Sequence, residues 1–164
     1  MVAATRLPDI IFPVNSARVN NCGKRVLLEE LKTLTERDPT GKVVFVGHIT
    51  EKEKAEIDRQ RAMNAAAVIS AGSGICTSFP ASQILVSAVG AADNGVELQP
   101  QFCGTSATPR TAELSGQAVK ESDTNAKYRR VEVWFVPTGG VAPASVKDSQ
   151  EATALPVSSL GCPK

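Results

Sequence analysis

The chain contains an unbroken apolar run, Val43-Val44-Phe45-Val46, that limits the folds available to it. Three β-branched residues and one aromatic residue in succession predict a β-strand. A strand with one solvent-facing side alternates apolar and polar residues, so a continuous apolar run predicts a strand that is covered on both faces. Other parts of the chain therefore have to form layers on both sides of this strand.

Two stretches have the spacing of amphipathic helices. The first covers Lys24–Arg37, where leucines recur every three or four residues and charged residues lie between them. The second is predicted to begin at Thr50, because Thr50 and Glu53 have the spacing of a capping box, and to end near Ser70. Small residues, which let a helix lie close to a sheet, form most of its apolar face: Ala55, Ala62, Ala66 and Ile69.

Three further strands are predicted, at Ile10–Phe12, at Gln83–Val89 and at Arg129–Val136. The last of them alternates with the period of two that a strand requires. Strands and helices thus follow one another along the chain, which predicts a sandwich with helices packed on one face of a sheet. Residues 138–164 are rich in Ala, Ser, Pro and Val and are predicted to form an irregular tail.

Length and charge exclude several classes of protein. The 164 residues suffice for one domain with a sizeable core. Eighteen Lys and Arg against 17 Asp and Glu give a formal charge of +1, which argues against a nucleic-acid binder or a polybasic membrane patch. No apolar run approaches the roughly 18 residues of a membrane span. The residue types also bear on chemistry. The single His argues against a His-built metal site, and no cofactor is indicated. The sequence contains no catalytic motif that would predict an enzyme.

The four cysteines are widely spaced and include no C-x-x-C pair, so neither a zinc nor a thioredoxin spacing is present. Their even number favours two disulfides in an oxidising compartment, with free buried cysteines as the alternative. The first six residues do not resemble a signal peptide, so the chain is expected to be either cytosolic or a mature segment, and the cysteine count favours a mature segment. Of the three possible pairings, Cys76–Cys103 and Cys22–Cys162 are predicted, which would place a bridge in an insertion around residues 91–126 and tether the tail.

Four fragments then occur in the order and on the elements of a known family: Phe12–Ala17, Lys42–His48, Ile57–Ala62 and Tyr128–Val133. Over residues 8–137 the chain resembles the OmpA-like C-terminal domain, the family of peptidoglycan-associated lipoprotein and the flagellar stator protein MotB. The resemblance implies an α+β fold of order β-α-β-α-β-(α)-β, with helices packed on one face of a mixed sheet.

The resemblance also implies a function. The family binds the diaminopimelate of peptidoglycan stem peptides without turnover and so anchors envelope proteins to the cell wall of the bacterial periplasm. An Asp after the second strand takes the ligand amine, and an Arg in the second helix takes the ligand carboxylate. Carried onto this sequence, the carboxylate contact is Arg61, and Thr50 stands at the position of the Asp. Asn15 and Arg129 match further polar contacts of the family.

The sequence departs from the family at the expected anion, because Gly47-His48 is followed by Ile49-Thr50 and not by Thr-Asp. Glu51 and Asp58 are the carboxylates predicted to replace it. Wall binding further requires Arg61 to project into an open groove. The alternative is a domain that has kept the fold, lost the ligand site and become a structural or protein-interaction module, with another envelope protein as its partner.

Overall fold

The computed structural model describes residues 2–12, 14–19, 23–24, 26–69, 83–90, 128–141 and 150–151. The predicted insertion around residues 91–126 and all four cysteines lie outside these residues, as do the predicted disulfides. The described elements are, in chain order, β1 (Val2–Ala3), β2 (Thr5–Ile11), a π-helical turn (Val26–Glu30) that leads into α1 (Leu31–Arg37), β3 (Lys42–Gly47), α2 (Ile57–Ile69), β4 (Ile84–Ala88), β5 (Arg130–Val136), β6 (Gly140–Val141) and β7 (Gln150–Glu151).

Five of the described strands form one mixed sheet in the order β2-β5-β3-β4-β7. Strands β3 and β4 run parallel, and they are joined through α2, as a parallel pair requires a crossover connection. The other three neighbouring pairs are antiparallel. Strands β1 and β6 form a separate parallel ladder of two residues each.

Both helices pack on one face of this sheet, which confirms the predicted α+β class and its layering. The shared core contains one side of β3 and β5 together with buried leucines and alanines of the helical segments. Its central members are Leu27, Leu31, Val43, Phe45, Ala62, Ala66, Val131, Val133 and Phe135. None of the helices in the described part of the chain is long and apolar enough to cross a bilayer.

The opposite face of the sheet is covered as well. Val44 and Val46 are as fully buried as Val43 and Phe45, at 0% exposure each, so the prediction of a strand buried on both faces is confirmed. Val44 and Val46 belong to a second apolar cluster, against which Trp134 packs. Beside this cluster the same face carries buried charged side chains, which are described below.

The structure differs from the predicted elements in four places. The stretch Lys24–Arg37, predicted as one amphipathic helix, contains a π-helical turn at Val26–Glu30 and becomes an α-helix at Leu31. Helix α2 begins at Ile57, not at Thr50, so the preceding charged residues form a loop. Strand β2 begins at Thr5 and contains an irregular register between Leu7 and Ile10. In the stretch expected to be an irregular tail, β6 pairs with β1 and β7 pairs with β4. Long-range pairing of this kind leaves no signature in the local sequence pattern.

One glycine brings β3 unusually close to α2. A Cβ atom built on Gly47 would lie 1.9 Å from the carbonyl oxygen of Asp58, a distance that no real contact allows. Only a residue without a side chain fits between the end of β3 and the first turn of α2. This close approach also carries the next residue, His48, to the same end of α2.

Candidate functional site

Arg61 lies in the second turn of α2, and its side chain is completely buried. Long helical side chains lean toward the helix N-terminus, which directs this one to the loops that follow β2 and β3. Its Nε donates a hydrogen bond to the carbonyl oxygen of Ser16 at 2.8 Å, and its Nη1 donates to the carbonyl oxygen of His48 at 3.0 Å. The guanidinium carbon also lies 5.2 Å from the centre of the Phe12 ring, within the range of a cation–π contact.

A carboxylate already occupies the outer edge of this guanidinium. Arg61 Nη1 donates to Glu53 Oε1 at 2.9 Å, and Nη2 donates to Glu53 Oε2. Two backbone N–H groups also donate to the Glu53 carboxylate: Asn15 to Oε2 at 2.7 Å and Thr50 to Oε1 at 3.0 Å. We call this donor set, the Arg61 guanidinium with the N–H groups of Asn15 and Thr50, the Arg61 seat.

The Arg61 seat keeps its carboxylate ionised. Burial raises the pKa of Glu53, but the hydrogen bond from Arg61, the two backbone N–H groups and the Arg61 charge together lower it below its ordinary value. Both side chains are 0% exposed. A buried charge is tolerated only when it is paired and hydrogen-bonded, and this pair meets both conditions.

The two loops of the site also hold each other through hydrogen bonds between main-chain N–H groups and side-chain oxygens. Asn15 adopts a positive φ of 56°, a conformation that asparagine tolerates better than most residues. This turn aims its N–H at Glu53, while its side-chain oxygen accepts a hydrogen bond from the N–H of Lys54 at 3.0 Å. The loop after β2 and the loop after β3 are therefore clamped together across 39 positions of sequence.

The structure brings three of the six predicted site residues together, and the anion beside them is not one that was predicted. Asn15, Thr50 and Arg61 all contact Glu53. Glu51 is exposed, and Asp58 accepts hydrogen bonds from the N–H groups of Gly90 and Arg59. Arg129 is buried and donates to the carbonyl oxygen of Phe12 at 2.9 Å.

Glu53 was missed because the sequence places it in a run of alternating charges, which is typical of a solvated helix start. Its spacing from Thr50 did give a usable signal, since the carboxylate reaches back to the Thr50 N–H as a capping box predicts. What the spacing did not reveal is that the same carboxylate meets Arg61. The requirement that Arg61 project into an open groove is thus not met in this structure.

A second polar cluster lies on the sheet face away from the helices, and we call it the sheet-face network. Asp9 accepts hydrogen bonds from Arg6 and, at 2.7 Å, from Arg130. Glu132 contacts the His48 ring and lies 4.0 Å from the Arg130 guanidinium. Apart from Arg6, these side chains are essentially buried. The alternating pattern of β5 predicted only that Arg130 and Glu132 lie on the same face of that strand.

His48 belongs to both clusters. Its ring contacts Glu132 in the sheet-face network, while its carbonyl oxygen accepts from Arg61 on the other side of the sheet. Its own N–H donates to the carbonyl oxygen of Arg130 at 2.9 Å, which extends the pairing of β3 with β5 by one residue. His48 therefore makes hydrogen bonds through its ring, its N–H and its carbonyl oxygen, which is typical of a lone His at a strand end.

Among the residues that the structure describes, no group of three or more His, Cys, Asp or Glu side chains is arranged to hold a metal ion. The donors at the Arg61 seat are all N–H groups, so its chemistry is the recognition of an anion and specifically of a planar carboxylate, which matches the fork of an arginine.

The sequence matches no family model and no curated protein. Among solved structures, the chain is similar to the peptidoglycan-associated lipoprotein from Burkholderia pseudomallei, at 15% sequence identity and a TM-score of 0.42. The similarity covers 78% of this chain and 89% of that chain.

Proposed function

We propose that the chain is a non-enzymatic domain of a bacterial cell-envelope protein, and that it serves as a structural or protein-interaction module. In this proposal the OmpA-like arrangement suggested by the sequence motifs persists, but the family's ligand position is closed from within. The observation that supports it is the complete burial of Arg61 with its guanidinium on the carboxylate of Glu53.

Competition explains why this observation favours a closed site. An incoming carboxylate would have to displace Glu53, and it would regain only the hydrogen bonds that Glu53 gives up. The free ligand also loses translational and rotational freedom, which costs on the order of 4–15 kcal/mol. Glu53 is covalently tethered next to Arg61 and avoids most of that cost, because its effective concentration at the seat is high.

A second candidate function is non-covalent binding to the diaminopimelate of peptidoglycan stem peptides. The specific observation in its favour is that four hydrogen bonds from Arg61, Asn15 and Thr50 converge on one carboxylate. In this case Glu53 would yield Arg61 to the ligand carboxylate. Its own carboxylate would then be available for the ligand amine, in place of the Asp that the sequence lacks.

Two binding measurements on the purified chain separate the candidates. One is sedimentation with purified sacculi, and the other is an NMR titration with free diaminopimelate that follows the amides of residues 47–61. If the site is closed, the protein should stay in the supernatant when the sacculi are sedimented, and diaminopimelate should cause no localised chemical-shift changes. Saturable shifts at millimolar ligand or below, lost in Arg61→Met and kept in the exposed control Arg37→Met, would replace it with the second candidate.

A further inference from the structure

The residues that close the Arg61 seat form a short surface segment with one buried member. The connection from β3 to α2 covers residues 48–56, and we call its second part, residues 51–56, the strap. Five of the six are exposed, whereas Glu53 is 8% exposed and its side chain is fully enclosed. A segment that is exposed except for one charged side chain is not held by hydrophobic burial, so its position depends on that side chain.

Side-chain hydrogen bonds between the strap and the described remainder of the domain converge on Glu53 and its neighbour Lys54. Glu53 accepts from Arg61, Asn15 and Thr50, and the Lys54 N–H donates to Asn15 Oδ1. The donors come from three separate parts of the chain: the loop after β2, Thr50 directly before the strap, and helix α2. Helix α2 belongs to the core, and it holds the loop after β2 independently of the strap, because Arg61 donates to the carbonyl oxygen of Ser16 and Asn64 donates to that of Ala17.

The strap also contains a strained backbone position. Glu56, directly before α2, has a φ of 74°, a left-handed conformation that is unfavourable for a residue with a side chain other than Asn or Asp. The strain is tolerated only while surrounding contacts hold the backbone in this conformation. Opening of the strap would relieve it, which lowers the free-energy difference between the closed and the open state.

We propose that the strap is an autoinhibitory closure, in which Glu53 fills a preformed carboxylate receptor as an internal ligand. When the strap opens, the Arg61 seat remains and accepts the carboxylate of another molecule. The biological use of such opening rests on the second candidate function, whereas the closure itself rests on the contacts of Glu53.

Chemical rescue tests the receptor. In Glu53→Ala the seat loses its internal carboxylate, and formate is small enough to take its place. We expect the thermal midpoint of this variant to rise saturably with sodium formate, relative to sodium chloride at the same ionic strength. The wild type and the exposed strap variant Glu51→Ala should respond equally to the two salts. The double variant Glu53→Ala/Arg61→Met should lose the formate response.

A folded Glu53→Ala that responds equally to formate and chloride would overturn the proposal. Hydrogen exchange on the wild-type chain provides the second measurement, and it decides the matter if the variant does not fold. The amides of Asn15 and Lys54 should exchange together through a local opening, at least about 100-fold faster than amides of β3. Exchange of both amides only through global unfolding would contradict a releasable strap.

These outcomes are independent of wall binding. A formate response without any diaminopimelate binding would leave the receptor and its closure standing and remove the second candidate function. Saturable diaminopimelate binding to the wild type together with a formate response in Glu53→Ala would support both, since Glu53 would then close the seat and also yield it to the ligand.

Discussion

The buried pair of Arg61 and Glu53 gives the sharpest test of how this domain is held together. Arg61→Met removes the guanidinium and leaves Glu53 buried with the two backbone N–H groups as its remaining donors. Breaking a buried pair in this way typically costs about 3–5 kcal/mol of the free energy of unfolding. Domains of this size have roughly 5–15 kcal/mol in total, so the variant should fold but be far less stable.

The double variant Arg61→Met/Glu53→Met separates the charge pair from its surroundings. It removes both charges at similar volume, but it leaves the carbonyl oxygens of Ser16 and His48 without the arginine donor, which costs about 1–3 kcal/mol. We therefore expect the loss in the double variant to be smaller than the sum of the two single losses by at least about 2 kcal/mol.

Urea denaturation, followed by far-ultraviolet circular dichroism and by the fluorescence of the only tryptophan, measures these values. The exposed helical pair of Lys32 and Glu36, 3.7 Å apart, is the matched control and should contribute about 0.3–0.5 kcal/mol. Additive losses at Arg61 and Glu53, or a loss below about 1 kcal/mol in Arg61→Met, would refute the reasoning from buried charges.

The pair of Arg61 and Glu53 should also make the free energy of unfolding fall at acidic pH. The pKa of Glu53 is lowered in the folded state, so its contribution is fully present above its ordinary value of 4.5 and is lost as the pH falls through the lowered value. The difference in unfolding free energy between wild type and Glu53→Gln should therefore shrink below pH 4.5. A difference that stays constant down to pH 2.5 would show that Glu53 does not act as a charged group.

Two further predictions concern the supports of the site. Gly47→Ala places a methyl group against the backbone of Asp58 and should lower the free energy of unfolding by about 3 kcal/mol or more. Gly139 has a positive φ and lies in open space, so Gly139→Ala should lower it by about 1–2 kcal/mol. Thermal denaturation compares the two variants. Glu132→Gln removes the charge from a buried hydrogen bond to His48 and should cost about 1.5–3 kcal/mol, with a change in tryptophan emission. Equal midpoints for the two glycine variants, or an unchanged midpoint for Glu132→Gln, would contradict these assignments.

The elements that the sequence predicted well are those whose burial follows a local period. The run Val43–Val46 was predicted as a strand covered on both faces, and the leucine spacing predicted a helix whose charged residues face water, which is found as α1 at Leu31–Arg37 after a π-helical turn. In these segments the side chains that meet the core recur at the spacing of the element itself. Local pattern and tertiary packing therefore favour the same structure.

The start of α2 was mispredicted for the opposite reason. Residues 50–56 have good helix propensity and a capping-box spacing, but propensity is a weak preference of a few tenths of a kcal/mol per residue. The carboxylate of Glu53 gains charged hydrogen bonds to Arg61 and to the N–H of Asn15, 38 positions earlier in the chain. Those long-range bonds hold the segment as a loop, and no local pattern encodes them.

The two ionic clusters meet at His48, and this bears on how the site responds to change. The carbonyl oxygen that fixes one edge of Arg61 belongs to the residue whose ring contacts Glu132 on the other side of the sheet. The N–H of the same residue donates to the carbonyl oxygen of Arg130, so the acceptor for Arg61 is held by the pairing of β3 with β5 as well as by the ring contact. One residue at the end of β3 thus joins the contacts of Arg61 to the sheet-face network.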